Sequence, residues 1–204
     1  MASRPKAPRR PVQQRAVLRR ESILDATARV LDRVGYDGLT TNSVALEART
    51  AVGSVYQYFR SREALLDGLL ERHGRRLGEA IEAAIAVGDP DPLAVADRVV
   101  DAFARVWREE PGYRAAWSAK SVSGLLDRTG AAWGYAFTAR IGDLLGSFAP
   151  AWPAARRLIV ARTAVHLVSG ILLAAIASPR RVERAMEGEA KLALRAYLGV
   201  SLAS

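Results

Sequence analysis

Apolar positions recur at helical spacing along almost the whole chain, and breaks in that pattern mark the connections. Over about residues 14–34, Ile23, Leu24, Thr27, Val30, Leu31 and Val34 share one helical face, and the Gly35-Tyr36-Asp37-Gly38 stretch ends the run. The next segment, LTTNSVALEA, predicts a short helix with Thr40 as N-cap and Val44, Ala45 and Ala48 facing inward. After a tight break near Arg49 and Thr50, Val52, Val55 and Phe59 form the inner stripe of a second short helix. Ser61 caps a long helix over 62–86, striped by Leu65, Leu69, Leu77, Ile81 and Ile85, and Gly88-Asp89-Pro90-Asp91-Pro92 is a loop. Further helices are predicted near 93–109, 112–127, 130–147, 153–177 and 180–200. Neither an alternating strand pattern nor an internal repeat is present, so the expected fold class is all-α.

The second short helix carries unusual chemistry. In TAVGSVYQYFRSREAL, residues 50–65, Tyr56, Tyr58 and Phe59 fall within four positions of an otherwise aromatic-poor chain. With Val52, Val55 and Phe59 inward, Ser54, Tyr56, Gln57 and Tyr58 point largely outward. Two short helices joined by a tight turn behind a longer one are the pattern of a helix-turn-helix reader of duplex DNA. In that arrangement Gln57 addresses base edges, adenine among them, and Ser54 either bases or backbone. Tyr56, Tyr58 and Arg62 suit phosphates, which position without specifying.

Charge sharpens this picture. The net charge of +9 divides into +6 over residues 1–60, eleven basic against five acidic, and +3 over residues 61–204, nineteen against sixteen. Seven basic residues, Arg4, Lys6, Arg9, Arg10, Arg15, Arg19 and Arg20, precede the first acidic one, Glu21. Residues 1–18 therefore read as a basic disordered arm suited to a polyanion, with an anionic membrane surface or simple solubility as the competing explanations. The chain has no cysteine and only two histidines, His73 and His166. It lacks nucleophile-elbow, phosphate-loop, dinucleotide-binding and zinc-protease motifs, so neither enzyme nor metal-binding chemistry is supported and no cofactor is expected. No segment resembles a signal peptide, which makes the cytoplasm the expected location.

The stretch RRESILDATARVLDRVGYDGLTTNSVALEARTAVGSVYQYFRSREALLDGLL resembles the DNA-binding domain of the TetR family of transcriptional regulators. That resemblance implies DNA contacts from Thr40, Thr41 and Asn42, from Val52, Gly53 and Ser54, and from Tyr56, Gln57, Tyr58 and Arg62, where Arg62 replaces the usual Lys. Ala48-Arg49-Thr50-Ala51 stands where the family usually has Ala-Gly-Val-Ser. Arg49 must then adopt a left-handed conformation, at a cost of about 1 to 2 kcal/mol, or bend the turn differently, and Thr50 is a candidate replacement N-cap. The implied organisation is an arm (1–18), a three-helix DNA-binding domain (19–61) and a helical ligand-binding and dimerisation domain (62–204).

In the C-terminal part Phe103 and Trp107, Tyr113 and Trp117, and Trp133 and Phe137 form pairs four residues apart in three successive predicted helices. Each pair alone is ordinary core packing; together they favour an aromatic-lined cavity for a small molecule, with Arg105, Arg108, Arg114 or Lys120 available as an anchor. Residues 158–177 are apolar enough to raise the question of a membrane span, but Arg162, His166 and Ser169 interrupt them. A buried helix pairing with the last one in an intersubunit four-helix bundle fits better, with His166 at the pocket or interface. The resulting expectation is a homodimeric regulator, most simply a repressor that binds a pseudo-palindromic operator and is released by a small molecule. The alternatives are a non-specific architectural DNA binder and, least supported, a helical enzyme.

Overall fold

The computed structural model describes the backbone of residues 10–122, 129–176 and 178–203, and side chains within 14–118, 137–175, 178–179 and 181–203. Among the described residues the secondary structure is helical: α1 (Arg10–Val34), α2 (Thr41–Glu47), α3 (Val52–Tyr56), α4 (Arg62–Ala86), α5 (Pro92–Glu109), α6 (Tyr113–Val122), α7 (Thr129–Phe148), α8 (Ala154–Ile176) and α9 (Arg180–Ala203). The all-α class and the order of helices follow the hydrophobic pattern. One boundary corrects it: α1 starts at Arg10, so residues 10–18 are helix rather than disordered arm. Pro11 sits at the helix start, where its missing N–H costs nothing, and Gln13 to Glu21 are mostly good helix formers.

The chain divides into two compact units, one comprising residues up to Glu71 together with Pro111–Ala119, the other Arg72–Glu110 together with Lys120–Ser204. This division differs from the boundary at residue 61 read from the sequence. The first turns of α4 belong to the first unit, and so does a short segment reached only after α5.

In the first unit, α1 contributes Ile23, Leu24, Val30 and Leu31, α2 contributes Val44 and Ala45, α3 and its exit contribute Val55 and Phe59, and α4 contributes Leu65, Leu66 and Leu69. Leu39 and Ala116 complete this core. Thr27, also fully buried, donates its hydroxyl to the Ile23 carbonyl at 2.8 Å and so carries no unmet polar group inward. Gly68 is placed by steric need, since a Cβ there would lie 2.6 Å from Phe59 Cε1.

The second unit packs α5, α7, α8 and α9 with residues 72–86 of α4. Asp91 caps α5 by accepting the Leu93 N–H at 2.9 Å, with Pro92 in the first turn. The charged faces of α5 and α9 meet in a ladder of ion pairs: Asp97 with Arg195 at 2.7 Å, Asp101 with Lys191, and Arg108 with Glu187. By length and composition α8 is apolar enough to cross a membrane. Its Val160, Ala161, Ala164, Val168, Leu172 and Ala175 are buried in this unit, while Leu158 and Ile159 are exposed.

Replacing Gly68 with Ala is expected to lower stability by about 1 to 3 kcal/mol in urea unfolding, because the new methyl must displace a buried ring. Gly78 of the same helix has no neighbour within 4 Å of an added Cβ, so Gly78→Ala is expected to raise stability by about 0.5 to 1 kcal/mol.

Candidate nucleic-acid interface and apolar cavity

The turn between α2 and α3 is built by local hydrogen bonds. Thr40, in extended backbone, accepts the Ser43 N–H at 3.0 Å, while the Ser43 hydroxyl accepts the Thr40 N–H at 3.0 Å, a reciprocal cap for α2. At its other end the Thr50 N–H closes onto the Ala45 carbonyl at 3.0 Å. Arg49 has φ 51°, so it takes up the left-handed conformation and bears its cost of about 1 to 2 kcal/mol. With that conformation in place α3 starts at Val52, and its N-cap is Ala51, which offers no side-chain oxygen. Thr50 is therefore not the cap, contrary to the expectation from its hydroxyl.

Short as it is, α3 is held from behind. Val55 and Phe59 are buried and Tyr58 is half-buried against the same core. Val52 departs from the predicted inner stripe, being 36% exposed, because the first turn of α3 projects beyond the core. Gly53, Tyr56 and Gln57 are exposed and Ser54 is half-exposed. The Thr41 hydroxyl donates to the Tyr56 hydroxyl at 3.2 Å, joining the start of α2 to the end of α3, and Asn42 is exposed beside it in sequence. Of the ten residues predicted to touch DNA, Thr40, Asn42, Val52, Gly53, Tyr56, Gln57 and Arg62 are exposed, and Thr41, Ser54 and Tyr58 are half-exposed.

Arg62 stands at the start of α4 and is oriented by neighbours that spacing does not reveal. Its guanidinium lies 4.5 Å from the centroid of the Tyr36 ring, and its Nε donates to Glu63 Oε1 at 3.0 Å. Hydrogen bonding from its own backbone N–H, then from Ser61, then from Arg62, holds the Glu63 carboxyl down to about 2. Glu63 therefore stays ionised across the neutral range and keeps Arg62 oriented. Ser61 accepts the Ala64 N–H at 3.1 Å, the cap expected from the sequence. Upstream, Arg20 is tied to Glu71 at 3.0 Å and lies over Phe59, whereas Arg15 and Arg19 are exposed.

The segment following α5 returns to this first unit. The Gly112 N–H donates to Asp32 Oδ2 of α1 at 2.9 Å. At φ +73° and with an added Cβ only 2.8 Å from Ala28 Cα, that position demands glycine twice over. Tyr113 and Ala116 are buried, and Trp117 packs against the same core. Tyr113 and Trp117 do stack, at 6.2 Å between centroids, but in the first unit. Burial pushes the Tyr113 hydroxyl well above its ordinary range.

The second unit contains an apolar cavity, a narrow space of about 70 Å³ between α5, α7, α8 and α9. Its walls include Val95, Val99 and Phe103 of α5, Phe137 and Ile141 of α7, Val165 and Ser169 of α8, and Leu194 of α9. Only part of the predicted aromatic set is there. Phe103 and Phe137 line it; Trp107 is buried and stacks on Phe103 at 5.4 Å without lining the space. Tyr113 and Trp117 belong to the other unit, His166 is exposed, and Trp133 and Lys120 lie outside the described side chains. Of the proposed anchors, Arg105 and Arg108 are exposed and Arg114 sits in the first unit. The walls missed by sequence reading are mostly aliphatic, with Phe148 and Ser169 besides, and nothing separates such residues from ordinary core before packing is known.

A helix-turn-helix with an exposed polar face on its second short helix, followed by a separate helical unit, is the architecture of a DNA-binding transcription regulator. Comparison with known proteins gives the family. Residues 23–69 match "Bacterial regulatory proteins, tetR family", and residues 91–198, just over half the chain, match "Tetracyclin repressor-like, C-terminal domain". The chain belongs to the TetR family of transcriptional regulators. Among its relatives are the transcriptional repressor KstR of Mycolicibacterium smegmatis, 40% identical over 35% of this chain and 36% of that protein, and the transcriptional regulator BetI of Burkholderia thailandensis, 29% identical over 76% and 80%. The chain thus spans about a third of that KstR protein's length. A TetR-family regulator from Streptomyces coelicolor has the same fold, with a TM-score of 0.70 and 29% identity over 89% of this chain and 98% of that one.

A Cβ at Gly53 would meet no neighbour within 4 Å. Gly53→Ala is therefore expected to leave stability unchanged or raised by about 0.5 to 1 kcal/mol, while weakening DNA binding in an anisotropy titration. Undiminished binding would mean that DNA does not approach the α3 backbone closely.

Proposed function

We propose that the protein is a homodimeric repressor that reads a pseudo-palindromic operator with α3 and releases it when a small molecule occupies the cavity of the second unit. The observation that carries this reading is the path of α5. Its Phe103 lines the cavity, and three residues past its end Gly112 is bonded to Asp32 on the first helix of the DNA-binding unit. A change in α5 on ligand binding therefore acts on a segment already anchored to the DNA reader. Coupling of this kind requires the ligand to favour one of two arrangements, and its strength is the difference in affinity between them.

In the DNA-bound state Gln57 and Ser54 read base edges. Tyr56, Tyr58 and Arg62, with Thr40, Thr41 and Asn42 at the start of α2, hold phosphates, while Val52 and Gly53 allow close approach. The basic residues ahead of Arg20 add salt-dependent attraction to DNA. Such a regulator works where the chromosome is, in the bacterial cytoplasm.

The dimer reading rests on exposed apolar residues of α8 and α9. Leu158 and Ile159 on α8, and Val182, Leu192 and Val200 on α9, are between 43% and 73% exposed in the single chain. A second copy covering these helices removes that surface from water, as a twofold interface does.

The first test is anisotropy of the protein on DNA from upstream of its own gene against a scrambled duplex, across salt concentrations. The proposal expects preference for the native fragment; equal, steeply salt-dependent binding to both would favour an architectural binder. Gln57→Ala is expected to lose about 1 to 3 kcal/mol of discrimination at particular base pairs, whereas Tyr56→Phe weakens all sequences alike. For the dimer, Ile159→Glu combined with Leu192→Glu is expected to halve the mass measured by sedimentation, and an unchanged mass would place the interface elsewhere.

A further inference from the structure

The walls of the cavity carry information about what it holds. Among the described residues that line it, Ser169 has the only polar side chain and none is charged. Several charges of the flanking helices are engaged elsewhere. Asp97 and Asp101 of α5 pair with Arg195 and Lys191 of α9, Arg108 pairs with Glu187, and Arg140 of α7 pairs with Glu82. Each of these pairs retains solvent-exposed side-chain surface, whereas the cavity walls are aliphatic or phenyl.

We infer that the cavity takes a slender, uncharged, apolar molecule bearing one hydrogen-bonding group that meets the Ser169 hydroxyl. This inference rests on the reading of the cavity as the effector site and specifies its ligand. An ionised carboxylate or ammonium placed there exchanges water for hydrocarbon without a counter-charge, which disfavours it strongly. Phe103, Phe137 and Phe148 give a cation some attraction through their ring faces. No carboxylate is among the described lining residues to reinforce it, and Asp97 and Asp101 of α5 are paired with α9. The space is small, about 70 Å³, which favours a short chain or a single ring over a bulky scaffold.

The inference is tested with three probes of seven heavy atoms each, 1-hexanol, pentanoate and hexylammonium, each titrated into the full-length protein by calorimetry. Hexanol is expected to bind at least about tenfold more tightly than either ion, the difference reflecting the uncompensated buried charge. Ser169→Ala is expected to weaken hexanol by about three- to tenfold through the lost hydrogen bond. Ala96→Leu, which fills the space from α5, is expected to abolish binding while the melting curve remains cooperative. The inference is overturned if either ion binds as tightly as hexanol, if hexanol does not bind, or if both variants bind it unchanged. Operator release is measured in parallel on the same samples. Hexanol that binds in the cavity without releasing DNA leaves the ligand class standing and removes the release mechanism. Release by pentanoate with no effect of hexanol does the reverse.

Discussion

The exposed polar face of α3 depends on the burial of Val55 and Phe59. Five residues cannot sustain a helix in water, because the cost of nucleation exceeds what so few hydrogen bonds return. α3 exists because these two side chains, one inside the helix and one just beyond it, are held between α1 and α4. Fixing them on the inner side fixes Gln57 and Tyr56 on the outer one. Gly68 belongs to the same constraint, since only a position without a side chain lets α4 lie flat against the Phe59 ring. Arg49 adds to it: the strained turn is tolerated because the packing on either side over-determines it.

A second constraint ties the two halves of the sequence together. Segment 111–119 is separated from α1 by about eighty residues of chain, yet it contributes Tyr113 and Ala116 to the first unit's interior and is anchored through Gly112 to Asp32. The DNA-binding unit is therefore incomplete without residues that follow the cavity-lining helix α5. The chain itself therefore links α5 to a segment packed in the same core as α1.

Much of this was legible beforehand, for identifiable reasons. Helical spacing of Ile23, Leu24, Val30 and Leu31, the caps at Thr40 and Ser61, and the Pro-rich loop before α5 are local signals, and they located the helices within a few residues. The outward face of α3 was legible because Val55 and Phe59 are apolar and Gln57 is not. Non-local facts were hidden. A Tyr113–Trp117 pair at helical spacing looks the same whichever core receives it, so its assignment to a cavity was an error of partner rather than of secondary structure. His166 occupies an apolar stretch in sequence but an exposed position on α8. The arginine-rich start of the chain concealed the helix beginning at Arg10, because charge density masks ordinary helix propensity.

The central claim is that the face of α3 reads base sequence rather than duplex charge alone. The most direct test is selection of bound duplexes from a random library at near-physiological salt, followed by sequencing. The account predicts an enriched inverted repeat whose half-sites lie about one helical turn apart, matching two copies of α3 in successive major grooves. Enrichment without a consensus, governed only by duplex length and salt, would contradict it.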